Sequence, residues 1–195
     1  AALVRPSSGT VSVAGLAPRA ARDRLGFMLA RDALLPWRSA LRNVEYGLEL
    51  QGVGRTERRE RARRWLKAVH LGDAERLWTW QLSQGMRQRV ALARTWALDP
   101  DVLLMDEPFA ALDVNTRLAV QQEFLQLWQS EQRKTVVFVT HDLGEAIALA
   151  DRIVLLGEGR ILDDVQVGID RPRDLAEIAS HPRYQELHQR LRAAI

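Results

Sequence analysis

The sequence contains no cysteine and only two lysines, Lys67 and Lys134. Without cysteine there is neither a disulfide frame nor a thiolate metal site, which suits a reducing cytosol. No apolar run approaches the roughly 20 residues that a spanning helix needs, and no signal peptide is visible. Work at a membrane would therefore go through a partner. Internal repeats and low-complexity stretches are absent. So is a strong charge of one sign: 28 basic side chains face 25 acidic ones, leaving +3. The pI near 9.9 reflects that small surplus of strong bases and excludes a field of the size that nucleic-acid binders carry.

What is present suits a globular domain. With 195 residues, 47% hydrophobic and 27% charged, the chain can bury a sizeable core in one domain. The stretch Val102-Leu103-Leu104-Met105-Asp106-Glu107-Pro108 organises the reading. A short apolar run closed by a turn signal predicts a buried strand, parallel and covered on both faces. Two carboxylates at its C-terminal end lie where open α/β sheets bind ligands. Side chains alternate along a strand, so Asp106 and Glu107 point apart and can take different jobs. Thr135–Val139 is β-branched and aromatic and predicts a second buried strand, with His141 just past its end. Thr10–Val13 and Arg24–Leu29 are further strand candidates. Arg152–Leu156, Gly157-Glu158-Gly159 and Arg160–Leu162 predict a hairpin.

Helical periodicity marks the remainder. The opening Ala1-Ala2-Leu3-Val4 reads as the tail of a helix, and a helical stretch begins near Ser39. Glu57–Leu71 is dense in arginine, with Ala62, Trp65, Leu66 and Val69 on one face. Mixed charge and the lack of interleaved aromatics make it a solvated helix face, not a nucleic-acid surface. Ser83 can cap the next helix, leaving backbone N–H groups free for an anion. Gly85 lets that backbone approach a ligand. Met86, Val90, Ala93 and Ala97 form its buried face, and Asp99-Pro100 ends it. Val114–Glu131 is a helix with Leu118, Phe124, Leu125 and Trp128 as core candidates. Arg171–Leu191 holds one or two short helices.

Taken in order, Leu82-Ser83-Gln84-Gly85-Met86-Arg87-Gln88-Arg89, then Leu103–Glu107, Ala111-Leu112-Asp113 and Val139-Thr140-His141-Asp142 resemble the ATPase subunit of an ABC transporter. The matching parts are its signature motif, Walker B with the catalytic Glu, the D-loop and the switch histidine. Leu34-Leu35-Pro36-Trp37, the Gly-Met-Arg-Gln-Arg run and the tail resemble the nitrate, sulfonate and taurine importers. The resemblance implies an α/β fold: an incomplete RecA-like P-loop NTPase core on a parallel sheet. A helical sub-domain is inserted at about residues 39–80, and residues 170–195 form a helical tail. It implies ATP and Mg²⁺, with Asp106 on the metal, Glu107 as base and His141 at the γ-phosphate. Ser83, Gln84, Gly85 and Asp113 would act across a dimer of ATPase subunits. The surface Ala30–Trp37 would meet an integral-membrane permease at the cytoplasmic face of the membrane, with a solute-binding protein engaged indirectly and no nucleic acid. Alternatives are a soluble, non-transport ABC ATPase or an inactive remnant.

Three departures accompany the resemblance. Ala30 stands where the family's Q-loop has Gln, and a methyl group can neither donate nor accept. Gln84 replaces a usual Gly. No Gly-Lys-Ser/Thr occurs, so the Walker A phosphate cradle is missing. The expectation is that an N-terminal part of the domain is missing and that these 195 residues alone do not hydrolyse ATP.

Overall fold

The computed structural model describes residues 4–29, 32–130 and 134–195. The expected opening helix, Ala30 and Arg31 fall largely or wholly outside that range. Val102–Asp106 forms β2, the middle strand of a three-stranded parallel sheet between β1 (Leu25–Met28) and β3 (Thr135–Val139). Leu103 and Met105 are buried, while Val102 and Leu104 on the other face are half-buried. The β1 strand lies close beneath a helix: a Cβ on Gly26 would come within 2.9 Å of Leu103, Pro100 and Thr95.

Two strand expectations change. In β3, Val136 and Phe138 are half-buried, but Val137 and Val139 are 50% and 53% exposed. Among the described residues β3 pairs only with β2, so its outer edge is open. A β-branched run has the same sequence whether or not something covers it, so the expected full burial does not hold for β3. Thr10–Val13 is not a strand either. Val13 and Leu16 exchange two backbone hydrogen bonds in a tight turn, and the segment has no sheet partner among the described residues.

Helices α1 (Ala40–Leu50), α2 (Arg55–Ala68) and α3 (Gln84–Ala97) pack on one another. Ser39 caps α1 through Oγ, which accepts from Arg42 N–H. The α2 helix buries Ala62, Trp65 and Leu66, with Val69 just beyond it, as its spacing predicts. Its charged side is solvated and mixed, with Arg61 on Glu57, Arg58 on Glu49 and Arg63 on Glu75. Trp96 of α3 is fully buried and joins these helices to the sheet. Its ring meets Trp65 at 6.3 Å and Phe124 at 5.6 Å, and Phe109 continues the chain of rings to Phe138 at 5.9 Å.

Asp99 takes a left-handed φ of 53° and, with Pro100, stops α3 just before β2. Helix α4 (Val114–Ser130) buries Val120, Gln121, Phe124, Leu125 and Leu127. Leu118, a core candidate from periodicity, is 40% exposed because the buried stripe runs along its neighbours. Trp128 is half-buried and donates its indole N–H to Lys134 O. After β3 come α5 (Leu143–Leu149) and an antiparallel hairpin of β4 (Arg152–Gly157) and β5 (Arg160–Gln166). Glu158 and Gly159 turn it at φ 51° and 75°, the backbone a two-residue hairpin requires. The tail holds a short 3₁₀ turn at Ile178–Ser180 and helix α6 (Pro182–Ala193). Buried Arg173 donates to the carbonyls of Ile147, Ala148 and Ala150, satisfying the C-terminal end of α5.

Candidate active site

The parallel strands β2 and β3 end side by side, with Asp106 opposite Val139. Directly after, Glu107 adopts φ 45° while its N–H donates to Val139 O at 2.8 Å. A left-handed conformation at a residue with a Cβ costs about 1 kcal/mol or more, so the surroundings must impose it. It turns the chain out of the sheet, and Glu107 Oε1 comes to lie 3.0 Å from His141 Nδ1. The hydrogen bond to Glu107, and then that carboxylate's charge, raise the His141 pKa above the ordinary imidazole value, with smaller help from Asp142 and Glu145. Asp106 is exposed beside the pair.

The segment carrying His141 is anchored by its neighbours. Asp142 N–H donates to Thr140 Oγ1, and Asp142 Oδ1 caps α5 by accepting from Glu145 N–H at 3.0 Å. From α4, Gln121 donates to Glu145 at 2.6 Å and Arg117 lies 3.7 Å from Asp142. Burial raises the Glu145 pKa, opposed by its hydrogen bonds to Thr140 and Gln121.

The other expected site residues form a second group. Ser83 Oγ accepts from Met86 N–H at 3.2 Å, so it does cap α3, and Gln84 beside it is exposed. Gly85 is buried, and a Cβ there would stand 2.5 Å from Thr116 Cγ2, so its missing side chain admits α4. Asp113 Oδ1 accepts from Thr116 N–H at 3.1 Å, and its hydrogen bonds to Thr116 lower its pKa. Thr116 thus joins Gly85 and Asp113. Among the described residues, no hydrogen bond or ion pair connects this second group with Asp106, Glu107 or His141.

Several residues here escaped the sequence reading. Buried Gln88 donates Nε2 to Pro108 O, tying α3 to the turn after Glu107. Its place inside the signature run was the available signal. Asp32 pairs with Arg87 at 3.0 Å, and Arg94 donates to the carbonyls of Asp32 and Ala33, so the segment after the expected Q-loop is tethered to α3. Asn43 is fully buried and holds the Leu35–Ser39 loop. It accepts from Leu35 N–H and donates to the carbonyls of Leu35, Arg38 and Ser39. Trp37, at the tip of that loop, is 67% exposed.

A cleft of about 680 Å³ opens between β3 and the β4–β5 hairpin. Phe138, Val139, Val154 and Leu156 line it together with His141. For a metal, no cluster of three or more His, Asp or Glu ligands occurs among the described residues. Mg²⁺ commonly takes one or two carboxylates and completes its shell with water and substrate phosphates. A single exposed Asp106 at the strand end fits that mode.

Comparison with known proteins agrees with this layout. The ABC transporter family model matches residues 1–110. The chain is 46% identical over 180 residues to an uncharacterized ABC transporter ATP-binding protein of Methanocaldococcus jannaschii, covering 91% of this chain and 67% of that protein. It is 43% identical over 201 residues to the taurine import ATP-binding protein TauB of Pseudomonas savastanoi pv. phaseolicola, covering all of this chain and 77% of that one. Among solved structures, a dimeric, post-hydrolysis ATP-binding cassette bound to ADP and Pi matches with a TM-score of 0.70 at 34% identity, covering 85% of this chain and 76% of that one. The fold is that of an α/β ATP-binding cassette. This chain belongs to the ABC transporter ATP-binding family.

Proposed function

We propose that this chain is the ATP-hydrolysing part of an importer for taurine-, sulfonate- or nitrate-like solutes. The contact between Glu107 and His141 at the end of two parallel strands carries the reading. It puts a proton acceptor and a raised-pKa imidazole side by side at the ligand-binding end of the sheet. In this reading Glu107 polarises the attacking water and His141 stabilises charge at the γ-phosphate. Asp106 would hold Mg²⁺, which supplies charge neutralisation to the phosphates when bound. The α3 N-terminus at Ser83, Gln84 and Gly85, together with Asp113, would serve the nucleotide of a second ATPase subunit. The dimeric state of the ADP-bound neighbour supports that arrangement.

The solute class rests on the similarity to TauB proteins of two Pseudomonas pathovars, at 43% and 42% identity. Among the described residues no helix is long and apolar enough to cross a membrane, so transport would need an integral-membrane permease. The Asn43-held loop with exposed Trp37 supports a permease contact near Ala30–Trp37, placing the chain peripherally on the cytoplasmic face. A solute-binding protein would act through the permease. The test is Glu107→Gln in a chain that carries a phosphate loop. ATP binding should persist while turnover falls about 10²–10⁴-fold, the usual loss on removing a general base. Turnover within a factor of about three of the parent would remove Glu107 from that role.

A further inference from the structure

The turn that follows His141 is gripped from the C-terminal helix as well as from α4. Gly144 lies in the first turn of α5, and a Cβ there would stand 2.6 Å from Tyr184 Oη and 3.2 Å from Asp142 Oδ1. The tyrosine hydroxyl therefore occupies the space that any other residue's side chain would need, beside the carboxylate that caps the helix. Burial, and then the charge of Asp142, raise the Tyr184 pKa, so the group stays a neutral hydroxyl. Helix α6 holds the tyrosine firmly. Tyr184 stacks on His188 with ring centroids 6.1 Å apart, and Leu187 and Leu191 are fully buried behind it. Arg183 donates to the carbonyls of Gln166 and Val167, fastening the start of α6 to the end of β5.

We propose that Tyr184 is a positioning residue: by filling the space over Gly144 it sets the first turn of α5 and so holds His141 against Glu107. This makes the C-terminal helix a structural part of the hydrolytic pair, and it rests on the reading of Glu107 and His141 given above. His141 is 74% exposed, so few side-chain contacts fix its ring. Its place depends on backbone, and α5 has only seven residues, too few to hold its own first turn without tertiary contacts. Those contacts are Gln121 and Arg117 from α4 on one side and Tyr184 from α6 on another. The charged groups near the imidazole are Glu107, Asp142 and Glu145, with Arg117 beside Asp142.

The test reads the imidazole directly, without turnover. Histidine-labelled chain is titrated by NMR as the parent, Gly144→Ala, Gly144→Ala with Tyr184→Phe, and Tyr184→Ala. Gly144→Ala should displace the hydroxyl and lower the His141 titration midpoint toward that of a free imidazole. Adding Tyr184→Phe removes the atom that clashes and should restore the midpoint. Tyr184→Ala adds no bulk and should also lower it. Circular dichroism confirms folding of each variant, and if Gly144→Ala does not fold, Tyr184→Ala decides. A folded Gly144→Ala or Tyr184→Ala chain with the parental His141 midpoint overturns the proposal. So does a folded double variant that fails to restore it. A shifted midpoint together with an unimpaired His141→Ala enzyme would support the positioning role while removing His141 from catalysis.

Discussion

Replacing Asn43 by Ala isolates one buried polar group whose surroundings are fully specified. Asn43 Oδ1 accepts from Leu35 N–H at 2.7 Å, and Nδ2 donates to Leu35 O, Arg38 O and Ser39 O at 3.1–3.2 Å. The residue is 0% exposed, and its partners lie on one half-exposed loop. Each hydrogen bond contributes about 1 kcal/mol net, and a stranded, partly buried donor costs about 1–3 kcal/mol. The carbonyls of Arg38 and Ser39 can regain water, whereas Leu35 N–H is harder to rehydrate. The expected loss is therefore about 2–4 kcal/mol. Chemical denaturation of the chain reads this as a lower midpoint at unchanged m-value. Asn43→Asp sharpens the argument. Its carboxylate keeps the acceptor for Leu35 N–H but faces three carbonyl oxygens, so its folded-state pKa must lie above the unfolded value of about 3.9. Such an acid binds its proton more tightly when folded. Relative to the parent, the variant should lose stability as pH rises above about 4 and regain it on acidification. A loss under about 0.5 kcal/mol for Asn43→Ala, or an Asn43→Asp penalty that grows on acidification, would refute the reasoning.

Three further outcomes follow from other contacts. Glu107→Gln should lower the His141 pKa, because the first cause of its elevation is the hydrogen bond to Glu107. Protonated His141 favours the fold below the unfolded value of about 6.5, and that gain is lost as pH rises through the higher folded value. The variant should flatten this pH dependence, and an unchanged NMR titration would count against the contact. Gly85→Ala should destabilise by about 1–3 kcal/mol through its clash with Thr116 Cγ2, and Thr116→Ser, which removes that methyl, should recover most of the loss in denaturant melts. Ser83→Ala should cost about 1 kcal/mol through the lost α3 cap, measured the same way; no change would mean that Ser83 is not capping in solution.

The features that sequence alone determined are those whose physics is local. Ser83 caps α3 because its hydroxyl reaches an N–H three residues on, wherever the helix later packs. Val102–Met105 makes a strand, and its two acids fall at the strand's end because side-chain alternation and chain order are built into the backbone. The α2 stripe of Ala62, Trp65 and Leu66 follows from helical period. Tertiary structure decided everything that depends on what another segment brings. Val137 and Val139 look like core residues in sequence, yet β3 has an open outer edge among the described residues. Gly85 lies against Thr116 of α4, a neighbour that the residues around Gly85 in sequence do not reveal. Asn43 reads as an ordinary helical polar residue until the Leu35–Ser39 loop folds over it. The meeting of Glu107 with His141 required the parallel register that aligns Asp106 with Val139, together with the left-handed turn at Glu107. Tyr184 reaches Gly144 across 40 residues of chain, a contact that no local hydrogen-bond pattern or periodicity encodes, because it exists only once α5 and α6 have packed.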